Sequence, residues 1–242
     1  MYSKSEPPIA ISHRGLRHSA PENSIPAFAA ALEAGAAAVE LDVHSTADGV
    51  VVVHHDPAPG GLDTHGKPWR PIAELDSRDL AGAKLFGDVA IPSLDSVIEA
   101  IDGRATVFIE VKGVSMEESV VRCLKRHLGR TDQLSIHSFD HRIVRRIAGL
   151  MPSVRTGLLQ VSYLVDSCAV LRLSGATDLW QQVELIDAAL VSGVHACRGR
   201  VIAWTANTVA QWEKLDALNV DGICTDKVDE YVAWTNDRSR SD

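Results

Sequence analysis

Three pairs of chemically able residues fall within the first 56 positions: His13 beside Arg14, Glu40 two residues before Asp42, and His55 beside Asp56. On an extended strand, residues two apart share a face. Glu40 and Asp42 can therefore aim at one hard cation, which prefers oxygen ligands. Their neighbours Val39, Leu41 and Val43 are apolar, which argues for an enclosed acidic face rather than a solvated strand end. Two like charges held together in such a place repel unless a cation or a proton neutralises them. Glu110 supplies a third carboxylate, within Phe108-Ile109-Glu110-Val111-Lys112. A buried acid there demands a partner, either Lys112 on the same face or a metal. Histidine titrates near neutral pH, so His13 and His55 are candidates for proton transfer. A lone histidine is more often structural, and the chain has ten; two flanking a carboxylate cluster are a different matter. Arg14 offers a planar fork for a phosphate group and Lys112 a second cation. The set suits metal-assisted phosphoryl chemistry.

The elements that position these groups follow from the apolar pattern. Ile9 to His13 reads as a buried strand. Asn23 or Ser24 can cap a helix over Ala27 to Ala34, with Pro26 in its first turn and Gly35 as its stop. Ala38 to Val43 is a second strand, Asp48-Gly49 a hairpin-like turn, and Val50 to His54 a further strand. Residues 57–92 break the rhythm with Pro57, Pro59, Pro68 and Pro71. They read as a small cap over the strand ends, with a short helix around Ile72 to Ala83. Helices are then expected over Leu94 to Ile101, Glu117 to Leu128, Asp140 to Leu150, within Tyr163 to Leu173, and over Glu184 to Ser192, Val209 to Leu218 and Val228 to Trp234. Strands alternate with them at Thr106 to Val111, Gln133 to His137, Val154 to Leu159, Asp178 to Trp180, Arg200 to Trp204 and Gly222 to Thr225. The polar tail from Asn236 to Asp242 is expected to fray.

Strand–helix alternation implies a parallel sheet, and about eight such units favour a closed (β/α)8 TIM barrel over an open sheet. The 242 residues fit one such barrel, a single domain over 1–242 with 57–92 as an insertion. Barrel active sites lie at the C-terminal strand ends, where His13, Asp42, His55, Glu110, Lys112, Ser138 and Trp204 all fall. A formal net charge of -8 argues against a nucleic-acid surface and an electrostatic membrane anchor. No run reaches membrane-spanning length and the N-terminus shows no signal-peptide core, which points to the cytoplasm. The four cysteines form no C-x-x-C pair and read as buried free thiols in a reducing compartment.

The order His13-Arg14-Gly15, Pro21-Glu22-Asn23-Ser24, Glu40-Leu41-Asp42, His55-Asp56 resembles the glycerophosphodiester phosphodiesterase family of the phospholipase-C-like phosphodiesterase superfamily. The match continues through Glu110-Val111-Lys112, Ser138-Phe139, Trp204-Thr205-Ala206-Asn207 and Asp221-Gly222-Ile223-Cys224-Thr225-Asp226. Each motif is weak alone; together, in order and at these spacings, they are specific. The resemblance implies hydrolysis of glycerophosphodiesters to glycerol 3-phosphate and an alcohol. It implies that Glu40, Asp42 and Glu110 hold one divalent cation, Mg or Ca rather than zinc given the all-oxygen set. It makes His13 and His55 the acid and base, without saying which is which. Glu22 and Asn23 would support the metal shell or the substrate, and Trp204 would wall the pocket or simply fill the core.

If the strand alternates to its end, His54 and His55 point to opposite faces and only one can join the site. The resemblance selects His55, which precedes Asp56. The family's usual Arg-Thr-Thr run after this point is replaced by Gly60-Gly61-Leu62-Asp63-Thr64-His65, and no proline follows Thr225-Asp226-Lys227 closely. These departures touch recognition of the leaving alcohol, not the chemistry. Two alternatives stand beside this reading: phospholipase-D-like activity on lysophospholipids or sphingolipids, and a catalytically silent barrel that binds a phosphate ligand.

Overall fold

The computed structural model describes residues 7–85 and 88–239. From the N-terminus, β1 (Ile9–His13) leads through α1 (Ile25–Glu33) to β2 (Ala38–Ser45), which turns back into β3 (Val51–Val53). After residues 57–92 the alternation is regular. It runs α2 (Leu94–Ile101), β4 (Thr106–Val111), α3 (Glu117–Leu124), β5 (Leu134–Ser138), α4 (His141–Leu150), β6 (Arg155–Gln160), α5 (Ser167–Ser174) and β7 (Asp178–Gln182). It closes with α6 (Ala188–Ala196), β8 (Arg200–Trp204), α7 (Val209–Ala217), β9 (Gly222–Thr225) and α8 (Val228–Ser239). Parallel pairing runs β1–β2–β4–β5–β6–β7–β8–β9 and returns from β9 to β1, so eight strands close the expected (β/α)8 barrel. The ring interior is filled by Ile11, Ala38, Phe108, Leu159, Trp180, Ile202 and Cys224. Trp180 uses the space of a missing side chain, since a Cβ at Gly157 would come within 2.9 Å of its ring. Polar side chains start the helices where the sequence offers them: Ser24, Ser93, Asp140, Asp166, Asp187 and Thr208 each accept from a first-turn amide.

Several expectations need correction. The Val50–His54 strand is shorter and is no barrel stave: β3 pairs antiparallel with the far end of β2, Val43 opposite Val53, outside the ring. A turn as short as Asp48-Gly49 can only reverse the chain, because a parallel return needs a crossover. Among the described residues of 57–92 there is no α-helix, only 3₁₀ turns at Ile72–Glu74 and Asp79–Gly82. Asp48 accepts from the Ser77 amide at 3.0 Å and its hydroxyl at 2.7 Å, which ties the insertion to the turn between β2 and β3. Ile72, Leu75, Leu80 and Ala83 pack on Val52, so the insertion lies along β3. α3 stops at Leu124 and continues as 3₁₀ turns through Gln133, broken at His127 with φ -117° and ψ 32°. α6 starts at Ala188 rather than Glu184 because the Asp187 carboxylate accepts from the Leu190 amide at 2.8 Å. α8 runs on to Ser239; the rest of the expected frayed tail, 240–242, lies outside the described residues, as do positions 1–6 of the N-terminus.

The cysteines are not all free. Cys168, in the first turn of α5, and Cys197, at the end of α6, are joined in a disulfide with their Cα atoms 5.9 Å apart. Twenty-nine residues separate them in sequence, and only the side-by-side packing of α5 and α6 brings them together. Cys123 and Cys224 are free and buried, as expected.

Candidate active site

Strand register assembles the site. His13 stands opposite Glu40 across β1–β2, Asp42 opposite Glu110 across β2–β4, and Glu110 opposite His137 across β4–β5. Residues at one level of neighbouring staves point into the same layer of the barrel. Four strands thus deliver three carboxylates and two imidazoles to one place. The loop after β1 adds the cations. Arg14 and Asn23 sit in the left-handed region at φ 59° and 58°, and Gly15 at 83°. A non-glycine there costs about 1–3 kcal/mol and persists where the surroundings over-determine it. Here the surroundings are backbone bonds, from the Arg14 amide to the Glu40 carbonyl at 2.9 Å and from the Asn23 amide to the Arg14 carbonyl at 3.0 Å.

Asp42 is fully buried and lies behind the cavity wall. Its Oδ2 accepts from Asn23 Nδ2 at 2.9 Å and pairs with Arg14 Nε at 3.0 Å; Lys112 Nζ is 3.4 Å from Oδ1. Burial favours the protonated acid, but Arg14 and Lys112 outweigh it, with help from the Asn23 bond, and hold Asp42 below the usual carboxylate range. Glu110 goes the other way. Burial and then the charges of Glu40 and Asp42 push its pKa up, although Lys112 Nζ approaches to 3.2 Å. Glu40 Oε1 lies 3.6 Å from His137 Nε2, and its buried Oε2 has no hydrogen-bond partner.

His13 Nδ1 donates to Asp226 Oδ1 at 2.7 Å; the carboxylate can only accept, which fixes the tautomer. Its Nε2 faces Glu40 at 3.9 Å. Burial pulls the imidazole down, but the Asp226 hydrogen bond and the Glu40 charge override it and raise the His13 pKa. Burial likewise opposes ionisation of Asp226, but hydrogen bonds from His13, Asn207 and Arg17 hold its pKa far below normal. His55 Nδ1 is 2.8 Å from Asp56 Oδ1.

These groups border a cavity of about 180 Å³ lined by His13, Arg14, Glu40, His55, Glu110, Lys112, His137, Phe139, Leu159, Trp180 and Trp204, among others. No described residue of the 57–92 insertion lines it, so the described part of the expected cap flanks the cavity rather than roofing it. A second cavity of similar size begins at His55 and runs past Glu22, Asn23, His54 and Asp56 to Gly60, Lys84 and Leu85 of the insertion. His54 does not border the central cavity, and its Nε2 is 3.2 Å from the Ala58 carbonyl.

Glu40 Oε2 and Asp42 Oδ1 are buried without a hydrogen bond, as suits a place that takes a cation, and hard carboxylate oxygens fit a divalent ion. Glu40, Glu110 and His137 offer donor atoms within 4.8 Å of one another. Asp42 lies just outside that group, turned toward Arg14, Lys112 and Asn23. Another cluster, Asp95, Cys123 and His127, has the same spacing beside a larger surface cavity of about 490 Å³. It is the poorer candidate. Arg126 and His127 already take the Asp95 oxygens, and burial pushes the Cys123 thiol up to about 12, far from the thiolate a metal needs.

Residues 13–230 match the model of the glycerophosphoryl diester phosphodiesterase family. This chain belongs to that family. The glycerophosphodiester phosphodiesterase of Caldanaerobacter subterraneus subsp. tengcongensis is 32% identical over 236 residues, covering 93% of this chain and 96% of that one. Among solved structures, an Oleispira antarctica phosphodiesterase in complex with the product sn-glycerol-3-phosphate matches with TM-score 0.83 at 23% identity, covering 95% of this chain and 97% of that one. A Parabacteroides distasonis glycerophosphodiester phosphodiesterase matches with TM-score 0.80 at 23% identity, over 95% and 97% of the two chains.

Family motifs whose roles the sequence left open now have contacts. Asn207 donates to Asp226 Oδ2 at 2.8 Å, while its Oδ1 accepts from the Asp226 amide and the Thr225 hydroxyl. Ser138 donates to the Val111 carbonyl at 2.7 Å and ties the ends of β4 and β5 together. Phe139 packs edge-on against Trp204, which walls the cavity. Glu22 reaches Arg14 and Arg17 at 3.0 Å each, so it orients the cations. Two residues were missed. Asp226 was quoted only within its motif, and His137, stacked on Trp180 at 4.2 Å, was passed over entirely. The signal for His137 was its place two residues before Phe139, on the inward face of β5.

Proposed function

We propose that this chain hydrolyses glycerophosphodiesters to sn-glycerol 3-phosphate and an alcohol, with the C-terminal barrel mouth as the active site. The observation that carries the reading is the convergence of Glu40, Glu110, Arg14, Lys112, His13 and His55 on one small cavity, with Asp42 behind its wall, in a chain of this family. A silent barrel would be expected to have lost one of these groups, and all are present.

In this reading Arg14 and Lys112 bind the non-bridging phosphate oxygens. Both are already pre-positioned, Arg14 by Glu22 and Asp42, Lys112 by Glu110 and Asp42. Fixed cations at the cavity stabilise charge that develops in the transition state. His13 and His55 each engage a carboxylate through Nδ1, which leaves Nε2 for substrate. One takes a proton from the attacking oxygen and the other gives one to the leaving alkoxide. Glu40, Asp42 and Glu110 would hold one divalent cation, Mg or Ca, with His137 as a nitrogen neighbour. When bound, such an ion polarises the phosphate and offsets its charge.

No helix among the described residues is long and apolar enough to cross a membrane. The bonded Cys168–Cys197 pair runs against the reducing compartment that the sequence suggested, and thiol counting on freshly isolated protein decides between them. The activity itself is tested by a coupled assay for glycerol 3-phosphate over a panel of glycerophosphodiesters. Release from at least one diester is expected; silence across the panel would reject the reading.

A further inference from the structure

His44 is buried and has no part in the chemistry above, but it holds a residue that does. It lies on β2 two positions past Asp42, so its side chain leaves the strand on the same face as Glu40 and Asp42. It is 8% exposed and is not among the residues that line the central cavity. Its Nδ1 lies by the loop after β4, where a Cβ at Gly113 would come within 3.7 Å. Its Nε2 is 3.1 Å from the His55 carbonyl oxygen. A carbonyl can only accept, so Nε2 carries the proton and donates.

That bond falls where the strand ladder stops. The β2–β3 pairing ends with Val43 opposite Val53, and the His54 amide still donates to the Asp42 carbonyl at 3.0 Å. Residues 55–58 are bends outside any strand, and Pro57 is tied to the insertion through the Ile72 amide at 2.8 Å. His55 therefore sits on irregular backbone between two anchored points. The carboxylate on its Nδ1 belongs to the next residue, Asp56, and is more exposed than His55 itself. Such a partner turns the ring but travels with the same backbone. His13 differs, being on a strand with a partner, Asp226, from the far side of the closed sheet. For His55 the tie to the barrel is His44, and a group that does chemistry needs its own support held in place.

We propose that His44 is a positioning residue for the reaction: by donating to the His55 carbonyl it ties the chain beyond β3 to β2 and sets where the His55 imidazole stands relative to a phosphodiester in the central cavity. This rests on the hydrolytic reading above, with His55 as one of its two proton-transfer groups. His44 touches neither substrate nor the reacting atoms, and its effect passes through His55. Displacing a catalytic group by about 1 Å can cost about 10²-fold in rate, so one backbone tie at this point is enough to matter.

The test is a double-mutant cycle with His44→Leu, His55→Ala and the pair. It reads kcat and KM for the best diester of the panel at saturating divalent ion, with thermal melting as the check on folding. His44→Leu should lower kcat by about 10–100-fold and leave KM within about threefold. In the His55→Ala background the same change should cost less than about twofold, because no imidazole remains to be misplaced. His44→Gln, whose amide nitrogen reaches as far as Nε2, should recover kcat to within about threefold of wild type. Should His44→Leu fail to fold, His44→Phe fills the place of the ring without a donor and carries the same expectation. A folded donor-less variant with wild-type kcat, a loss that falls on KM instead of kcat, an undiminished further loss on His55→Ala, or a His44→Gln as poor as His44→Leu overturns the proposal and leaves the hydrolytic reading intact. No turnover of any diester by the wild type overturns both.

Discussion

Asp226 holds His13, and replacing it with asparagine should break the site without breaking the fold. In the native protein Asp226 Oδ1 accepts from both His13 Nδ1, at 2.7 Å, and Arg17 Nη1, at 2.8 Å, while Oδ2 accepts from Asn207 Nδ2 at 2.8 Å. An asparagine has one acceptor oxygen for these donors. Asn207 cannot turn over to help, since its own oxygen already accepts from the Asp226 amide and the Thr225 hydroxyl. Whichever way the new amide turns, its nitrogen faces a donor, Asn207 on one side or His13 and Arg17 on the other, and His13 loses its charged partner. A hydrogen bond to a charged group contributes about 1.5–3 kcal/mol, and the same Asp→Asn change in a comparable histidine–aspartate pair of serine proteases costs about 10⁴ in kcat. Asp226→Asn should thus lower kcat by about 10²–10⁴-fold with little change in KM.

The pH profile gives the sign. The Asp226 bond raises the His13 pKa against burial, which pulls it down. Without that carboxylate the His13 pKa falls, and the limb of the kcat/KM profile that belongs to His13 moves to lower pH. That is the acid limb if His13 is the base and the alkaline limb if it is the acid. The assay is glycerol 3-phosphate release across pH at saturating divalent ion, with thermal melting as the check on folding. A folded Asp226→Asn protein with wild-type kcat and an unmoved profile would refute the argument.

The remaining tests are simpler. His13→Ala and His55→Ala should each lower kcat by about 10²–10⁴-fold, whereas His54→Ala should stay within a few-fold; a dead His54→Ala beside an active His55→Ala would reverse the assignment. Arg14→Lys should also be damaging in steady-state kinetics, because an ammonium cannot keep Glu22 and Asp42 while presenting a fork to phosphate; full activity would demote Arg14. In unreduced, denatured protein, thiol titration should count only Cys123 and Cys224, and opening the Cys168–Cys197 bond should lower stability by about 3–4 kcal/mol on the chain-entropy account; four titratable thiols and an unchanged Tm would contradict the pairing.

The barrel could be read from the sequence because its staves are short apolar runs with firm ends. Thr106–Val111, Arg200–Trp204 and Gly222–Thr225 fall where the apolar pattern set them. The candidate residues could be read because same-face spacing within a strand is local: Glu40 with Asp42, Glu110 with Lys112. What spans strands could not. His137 enters the site through register with Glu110, Asp226 reaches His13 only because β9 closes on β1, and Cys168 meets Cys197 only because α5 and α6 are neighbours. The valine run from Val50 to Val53 has the composition of a barrel stave, and only the tight turn at Asp48-Gly49 marks it as a hairpin partner of β2, its last three residues forming β3. The insertion resisted reading because Asp48, outside it, fixes its path through Ser77.

The central claim is that the carboxylate cluster makes this cavity a divalent-ion-dependent phosphodiesterase site. The direct measurement is glycerol 3-phosphate release from the best diester of the panel by metal-stripped protein, titrated with magnesium or calcium, for wild type and Glu110→Gln side by side. The account predicts no turnover in the stripped protein, saturable recovery in wild type, and recovery in Glu110→Gln only at far higher ion concentration, if at all. Full turnover by stripped wild-type protein, or identical titration curves for the two proteins, would contradict it.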